Sequence, residues 1–300
     1  MRHLFLINPT AGKADSTQRI TTQAKALCED LGEEYEIFVS TARGDCTRKA
    51  REAGESGIPT RIYACGGDGT FNECVNGAVG YDNLELTCVP CGSGNDFIKQ
   101  FANPKAFFEL KHFKHVEVKN IDLMELDGHY AATICSVGFD ARIGTAIDAY
   151  RRFPLLSGSR AYGASIVVNL VKGVVKPCRV ELPDGTVVDE DLTLVCVCNG
   201  SWYGGSYHPV PEADMCDGLL DVLVVKKVSR LTVAKVISAY QVGKYAEYPH
   251  LISHYRTNSV RIITPEDEPV NLDGELLMRK ELTINILPER LKLFVPTAAL

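Results

Sequence analysis

Several things are scarce in this chain. It holds one tryptophan in 300 residues, no apolar run long enough to cross a bilayer, and no surplus of basic charge. The best apolar stretch, 164–175, is broken by Asn169, Lys172 and Gly173 and falls short of the roughly 20 residues a spanning helix needs. The N-terminal apolar segment 4–7 meets Asn8-Pro9 too early to serve as a signal segment, so a cytoplasmic location is expected. Thirty-two Lys and Arg against 38 Asp and Glu leave a net charge of −6, the wrong sign for wrapping nucleic acid, and no nucleic-acid partner is expected. A disulfide framework is also missing. The eleven cysteines are odd in number, and the lone pair Cys88-Val-Pro-Cys91 has no second pair at zinc-ribbon spacing, so they read as small hydrophobes.

What is present is ordinary for a globular protein: 45% apolar and 23% charged residues, with 25 Gly and 14 Pro for turns. The length exceeds what one core usually supports, so two domains are expected. The first 120 residues alternate strand-like runs (4–7, 35–39, 61–65, 84–89) with helix-like stretches through Leu27 and Leu31, 45–56 and 66–79. That alternation predicts a mostly parallel sheet covered on both faces. Beyond residue 121 strand signals dominate (120–126, 129–137, 178–182, 192–198, 219–225, 259–264, 281–287), with helical inserts near 141–171 and 231–240. The reading is an N-terminal α/β domain over 1–121 and a C-terminal antiparallel β-sandwich over 122–288. The segment 289–300, with its apolar run 291–295, returns to the first domain. A cleft belongs between the two.

The strongest local signal is Gly66-Gly67-Asp68-Gly69-Thr70-Phe71-Asn72-Glu73, which follows a strand and opens a helix. Its glycines let backbone approach a ligand, and the helix start favours negative charge, so the arrangement suits phosphate. Cys91-Gly92-Ser93-Gly94-Asn95-Asp96 repeats the geometry after the next parallel strand, where Asn95 or Asp96 can cap the helix. Asn8-Pro9-Thr10-Ala11-Gly12-Lys13 and Thr41 fall on the same sheet edge. In the second half, Asn271-Leu272-Asp273-Gly274-Glu275 reads equally as a hairpin turn or as an acidic site. The turn from Pro211 to Asp221 is rich in Asp, which suits a hard divalent ion or a plain surface turn.

Together these motifs run in the order of the diacylglycerol kinase catalytic-domain superfamily, and the chain resembles its soluble bacterial lipid kinases over nearly its whole length. The resemblance implies an α/β domain similar to those of 6-phosphofructokinases and NAD kinases, joined to a β-sandwich. It implies an enzyme that moves the γ-phosphoryl group of ATP to a lipid hydroxyl with Mg²⁺, most simply from diacylglycerol to phosphatidic acid. Carried over by position, Gly66, Gly67, Asp68, Gly69, Thr70, Phe71 and Asn72 would hold the nucleotide with Asn8, Thr41 and Ser93, and Lys13 more weakly. Asp68 would reach the catalytic Mg²⁺. Asp273 would be the general base, supported by Glu275. Asp217, with the carbonyls of Asp214 and Leu219, would hold a structural Mg²⁺.

Related enzymes imply a homodimer. Other readings stay open: a sphingoid, ceramide or phosphatidylglycerol-type lipid kinase, an NAD kinase, or a non-catalytic nucleotide- or lipid-binding regulator. Ser206-Tyr207-His208-Pro209 departs from the pattern and bears on acceptor preference, with His208 either touching substrate phosphate or idle. Two cationic segments could meet a membrane peripherally. One places Lys99, Lys105, Lys111, Lys114 and Lys119 among Phe101, Phe107, Phe108 and Phe113. The other places Arg151, Arg152 and Arg160 near Phe153, Leu155 and Leu156. The alternative for the first is a solvated face whose phenylalanines belong to the core.

Overall fold

The computed structural model describes residues 1–138, 175–205 and 207–300. The anticipated insert at 141–171, with its arginine segment, and Ser206 lie outside the described residues.

In the N-terminal half, β1 (Arg2–Ile7), β2 (Tyr35–Val39), β3 (Thr60–Gly66) and β4 (Leu84–Pro90) run parallel in the order β2-β1-β3-β4. Helices α1 (Thr17–Leu31), α2 (Asp45–Glu55) and α3 (Asp68–Ala78) are the crossovers. Leu4 to Ile7 and Ile62 to Cys65 are fully buried, as expected for strands covered on both faces. α1 ends where Gly32 turns left-handed (φ 67°) and donates to the carbonyls of Cys28 and Glu29.

The C-terminal half is antiparallel. Its elements are β5 (Val116–Leu126), β6 (His129–Ala131), β7 (Ile134–Gly138), β8 (Lys176–Glu181), β9 (Val187–Cys198), β10 (Leu220–Lys226), α4 (Arg230–Gln241), β11 (Ile252–Thr257), β12 (Ser259–Leu272) and β13 (Glu275–Pro296). Alternation along β9 and β10 feeds two apolar layers. Val195, Val197, Val222 and Val224 enter one; Cys196, Cys198, Leu223 and Val225 enter the other, with Val236 and Tyr240 of α4.

β13 joins the halves. The sequence suggests two separate strands at 281–287 and 291–295, whereas one 22-residue strand covers both. The register slips between Leu287 and Leu291, where Glu289 adopts φ 52°. Beyond the slip Leu293 pairs in parallel with Leu86 of β4, so a single hydrogen-bonded sheet runs through the molecule.

The phenylalanines of the first cationic segment are core residues. Phe107 and Phe113 are fully buried, and edge contacts run from Phe97 through Phe101 to Phe294 and Tyr63. Only Phe108 of that group is exposed. Nine of the eleven cysteines are buried and all are free. Among the described residues no helix is long and apolar enough to cross a membrane.

Candidate active site

Three loops leave the carboxyl ends of β1, β3 and β4 and pack backbone against backbone. The Cys91 amide donates to the Gly66 carbonyl at 2.7 Å. A Cβ on Gly92 would stand 2.6 Å from the Gly67 Cα, and one on Gly12 would collide with the Cys91 carbonyl oxygen. These glycines are therefore required by loop contact, before any ligand is considered. Asn8 Nδ2 donates to Thr70 Oγ1 at 3.1 Å, while its Oδ1 accepts from the Thr10 amide and hydroxyl, so the first loop is tied to α3. Gly67 precedes α3 in extended conformation and no side chain caps the helix, which leaves its leading amides open toward the crevice.

Not every residue expected to hold nucleotide faces that crevice. The Phe71 side chain is buried against Phe97, with ring centroids 4.1 Å apart. Asn72 is buried too, and its Nδ2 donates to the Tyr130 carbonyl at 3.0 Å. These two side chains fasten α3 to the fold; of the run 66–72, the backbone around Gly67 to Gly69 is what remains for a phosphate. Thr41 is engaged locally: its amide and hydroxyl, with the Ala42 amide, donate to Asp45 Oδ2 at the start of α2. Those bonds hold the Asp45 carboxyl down at about 2. Ser93 and Lys13 are exposed.

Asp68 and Asp96 converge beneath these loops. Asp68 Oδ1 accepts from the amides of Asp96 (2.6 Å) and Phe97 (3.4 Å). A Cβ on Gly94 would lie 2.8 Å from Asp68 Oδ2 and 3.6 Å from Asp96 Oδ2, so both oxygens face the same bare backbone. Burial, and then the Asp96 charge, push the Asp68 carboxyl up to about 6 against those amide bonds, and the Asp273 charge adds to the rise. Asp96 in turn reaches the other half. Its Oδ2 accepts from the Gly205 amide at 2.7 Å, and Lys99 Nζ bridges Asp96 Oδ1 and the Gly205 carbonyl at 2.6 Å each. Lys99 also stands 5.7 Å from the Trp202 ring, which stacks on His208 at 4.1 Å. Burial lowers the His208 pKa, which makes it a neutral stacking ring.

Asp273 forms the corner of the β12–β13 turn with φ 47°, followed by Gly274 at 88°, the left-handed pair of a type I′ hairpin. Its carboxylate points into the fold. Oδ2 accepts from the amides of Ala132 (2.7 Å) and Thr133 (3.1 Å); Oδ1 accepts from the Ile134 amide (2.8 Å) and the Thr133 hydroxyl. Burial outweighs these bonds and raises its pKa. Glu275 faces Arg43 of the β2–α2 loop at 2.8 Å and His129 at 3.7 Å. The hairpin reading of this turn is met, and the same geometry turns its acid inward.

The 214–221 turn is different. Asp217 Oδ1 accepts from the Leu219 amide at 2.9 Å, and its Oδ2 is ion-paired with Arg256. Asp214 Oδ1 accepts from the Cys216 amide at 3.0 Å. Buried Asp221 is held by His254 at 2.7 Å and Arg256 at 3.4 Å. A guanidinium on the key carboxylate fits poorly with Mg²⁺ there, so Asp217 of the expected set Asp214, Asp217 and Leu219 is already neutralised. Among the described residues no three His, Cys, Asp or Glu side chains cluster for a metal. Asp68 fits better, because among the described residues it has no cationic partner and Mg²⁺ is commonly held by one or two carboxylates together with substrate phosphates, whereas Asp96 is already paired with Lys99.

Residues 2–126 match the diacylglycerol kinase catalytic-domain model, and 133–295 match the YegS C-terminal NAD kinase β-sandwich-like domain model. The chain belongs to this family. It is 28% identical over 282 residues to a diacylglycerol kinase of Bacillus subtilis strain 168, covering 91% of this chain and 89% of the relative. A Chromohalobacter salexigens chain named a probable YegS-like lipid kinase is 29% identical over 280 residues, 91% of this chain and 88% of that one. The fold is similar to that of a diacylglycerol kinase from Bacillus anthracis strain Sterne, with a TM-score of 0.70 at 22% identity over 100% and 98% of the two chains. An α/β N-terminal domain followed by an antiparallel β domain is thus the family's architecture in this member.

Sequence reasoning passed over several neighbours of the site. Asp96 reads as a helix cap, yet its carboxylate spans the cleft to Gly205. Asp122, an acid inside the apolar run of β5, is buried and accepts from the amides of Gly218 (2.7 Å) and Glu289 (2.8 Å), fixing the acidic turn to β13. A carboxylate in an apolar strand was the signal for it.

Proposed function

We propose that the protein transfers the γ-phosphoryl group of ATP to the hydroxyl of a membrane lipid, with diacylglycerol the first acceptor to test. The family supports a lipid kinase. The observation that carries the two-sided site is geometric: the turn that holds Asp273 reaches the β2–α2 loop through the Glu275–Arg43 pair at 2.8 Å, and the loop that holds Asp96 against Asp68 reaches the second half through the Gly205 amide. A base facing a phosphate cradle is what phosphoryl transfer to an alcohol requires.

The open amides at the start of α3 and the glycine loops receive phosphate oxygens, where developing charge is stabilised by fixed dipoles. Mg²⁺, when bound, would neutralise phosphate charge, and Asp68 is the residue that would hold it. Asp273, with its raised pKa, accepts the proton of the acceptor hydroxyl. The acceptor oxygen forms its bond to the γ-phosphorus as the β,γ-bridging P–O bond breaks, and the electron pair leaves on ADP. All the Asp273 lone pairs are engaged at rest, so the acceptor hydroxyl takes the place of the Thr133 hydroxyl on Oδ1, while the backbone amides keep the carboxylate aimed. Glu275 holds Arg43 and so steadies the turn against the β2–α2 loop.

The test is transfer from labelled ATP to diacylglycerol, ceramide, sphingosine and phosphatidylglycerol, with NAD as the control acceptor. Asp273→Asn is expected to keep ATP affinity and lose about 10²–10⁴-fold in turnover. Turnover like that of the unaltered protein would remove Asp273 from the role, and transfer to NAD alone would overturn the lipid reading.

A further inference from the structure

The β12–β13 hairpin carries its apolar side chains on the wrong face for a protein meeting only water. Along β13, Glu275 turns to Arg43, Leu277 packs on the buried layer, and Arg279 pairs with Asp127. The alternate row, Leu276, Met278 and Lys280, turns outward. Leu276 is 37% exposed and Met278 54%. Opposite them on β12 stand Asn271 and Pro269, neither of them charged. Lys280 continues the row, exposed and, among the described residues, without an ion-pair partner.

From this we infer that the outward row of Leu276, Met278 and Lys280 is the surface the protein lays on an anionic lipid bilayer. The inference rests on the lipid-kinase reading above. Other large apolar side chains are exposed, but these two lie within five residues of Asp273. Three to five residues of strand span about 10–17 Å. The acceptor hydroxyl sits at headgroup depth, so the rim around the base must meet the bilayer if the two are to touch. Two apolar side chains beside an unpaired lysine match that boundary: the first enter the acyl edge and the lysine meets lipid phosphate. On a water-facing hairpin the same row would carry polar residues. The membrane contact therefore comes from the hairpin that carries the base, so docking and acceptor placement are one event. Of the phenylalanines of 97–113, Phe97, Phe107 and Phe113 are excluded from the role by their burial, and exposed Phe108 stands outside the hairpin that carries the base.

The experiment compares the full chain with the double variant Leu276→Ser/Met278→Ser and with Lys280→Ala. Vesicle co-sedimentation is read without ATP on phosphatidylcholine vesicles with and without phosphatidylglycerol. Turnover is read on long-chain diacylglycerol in those vesicles and on water-soluble dihexanoylglycerol. Removing two half-exposed apolar side chains is expected to cost about ten-fold or more in vesicle binding, and Lys280→Ala about five-fold, on anionic vesicles only. Turnover on vesicles falls in step, while turnover on dihexanoylglycerol and the thermal midpoint stay unchanged. Undiminished vesicle binding by the double variant, absence of binding by the unaltered chain, or equal losses on both acceptors would overturn the assignment. Failure of the unaltered chain to phosphorylate either acceptor would instead count against the kinase reading, and the sedimentation result would still judge the surface.

Discussion

Asp68 and Asp217 look alike in the sequence, each an acid in a glycine-containing turn between apolar runs, yet their surroundings are opposite. Asp217 already has its cation in Arg256, and neighbouring Asp221 binds both that arginine and His254. Asp68 has two backbone amides, the like charge of Asp96 and the more distant like charge of Asp273, and its carboxyl rises to about 6. A carboxylate held among other carboxylates is a place prepared for a positive ligand, whereas one already neutralised is structural. Acidity of composition does not separate the two; the partner does.

The sharpest way to break the comparison is turnover. Asp68→Asn is expected to lose about 100-fold or more at fixed Mg²⁺, the scale of removing one preorganised electrostatic group from a phosphoryl-transfer site. Asp217→Asn should stay within about ten-fold. Steady-state assays over an Mg²⁺ titration check both. Equal losses would mean that the Asp217 turn also serves the metal and that Arg256 gives way to it.

The N-terminal half was legible because each of its signals is local. Buried strands read as continuous apolar runs, and glycines that touch across loops cannot be replaced, so Gly12 and Gly92 stand out in the sequence. The second half was less so. The long strand β13 was split because Pro288 and Glu289 mark a register slip, which looks in sequence like the end of a strand. Ion pairing between distant residues left no trace at all: nothing near Asp217 announces Arg256, and nothing near Glu275 announces Arg43. The inward burial of Phe71 and Asn72 was hidden for a related reason, since α3 is covered on a side that only the β5–β6 hairpin, through Tyr130, defines.

Removing the cation from the neutralised turn probes the other half of the contrast. Arg256→Met leaves Asp217 with a backbone amide and leaves buried Asp221 with His254 alone. The expected cost is about 1–3 kcal/mol, because a buried acceptor loses a charged partner. A fall of several degrees in the thermal midpoint would follow, with Mg²⁺ then restoring part of it. No loss of stability would show that the arginine contributes nothing to the turn.

The smallest effect is a stability change with pH at Asp68 itself. Its folded pKa, about 6, lies above the ordinary 3.8, so the fold favours the protonated form. Below about pH 3 the group is protonated in both folded and unfolded chains and its charge costs nothing. As pH rises from about 3.8 to about 6 the unfolded chain ionises first and stability is lost; above 6 both states are ionised and the loss is complete. Asp68→Asn keeps an oxygen for the amides of Asp96 and Phe97 but never ionises. In the absence of divalent metal it should therefore raise the midpoint at pH 8 by about 2–4 °C, roughly 1 kcal/mol after discounting for partial exposure, and by only a fraction of that at pH 4. Adding Mg²⁺ with nucleotide should stabilise the unaltered protein more than the variant and erase the gain, because the cation supplies what the carboxylate lacks. A variant gain that is the same at both pH values would mean that Asp68 is not held as a strained charge, and the contrast with Asp217 would lose its basis.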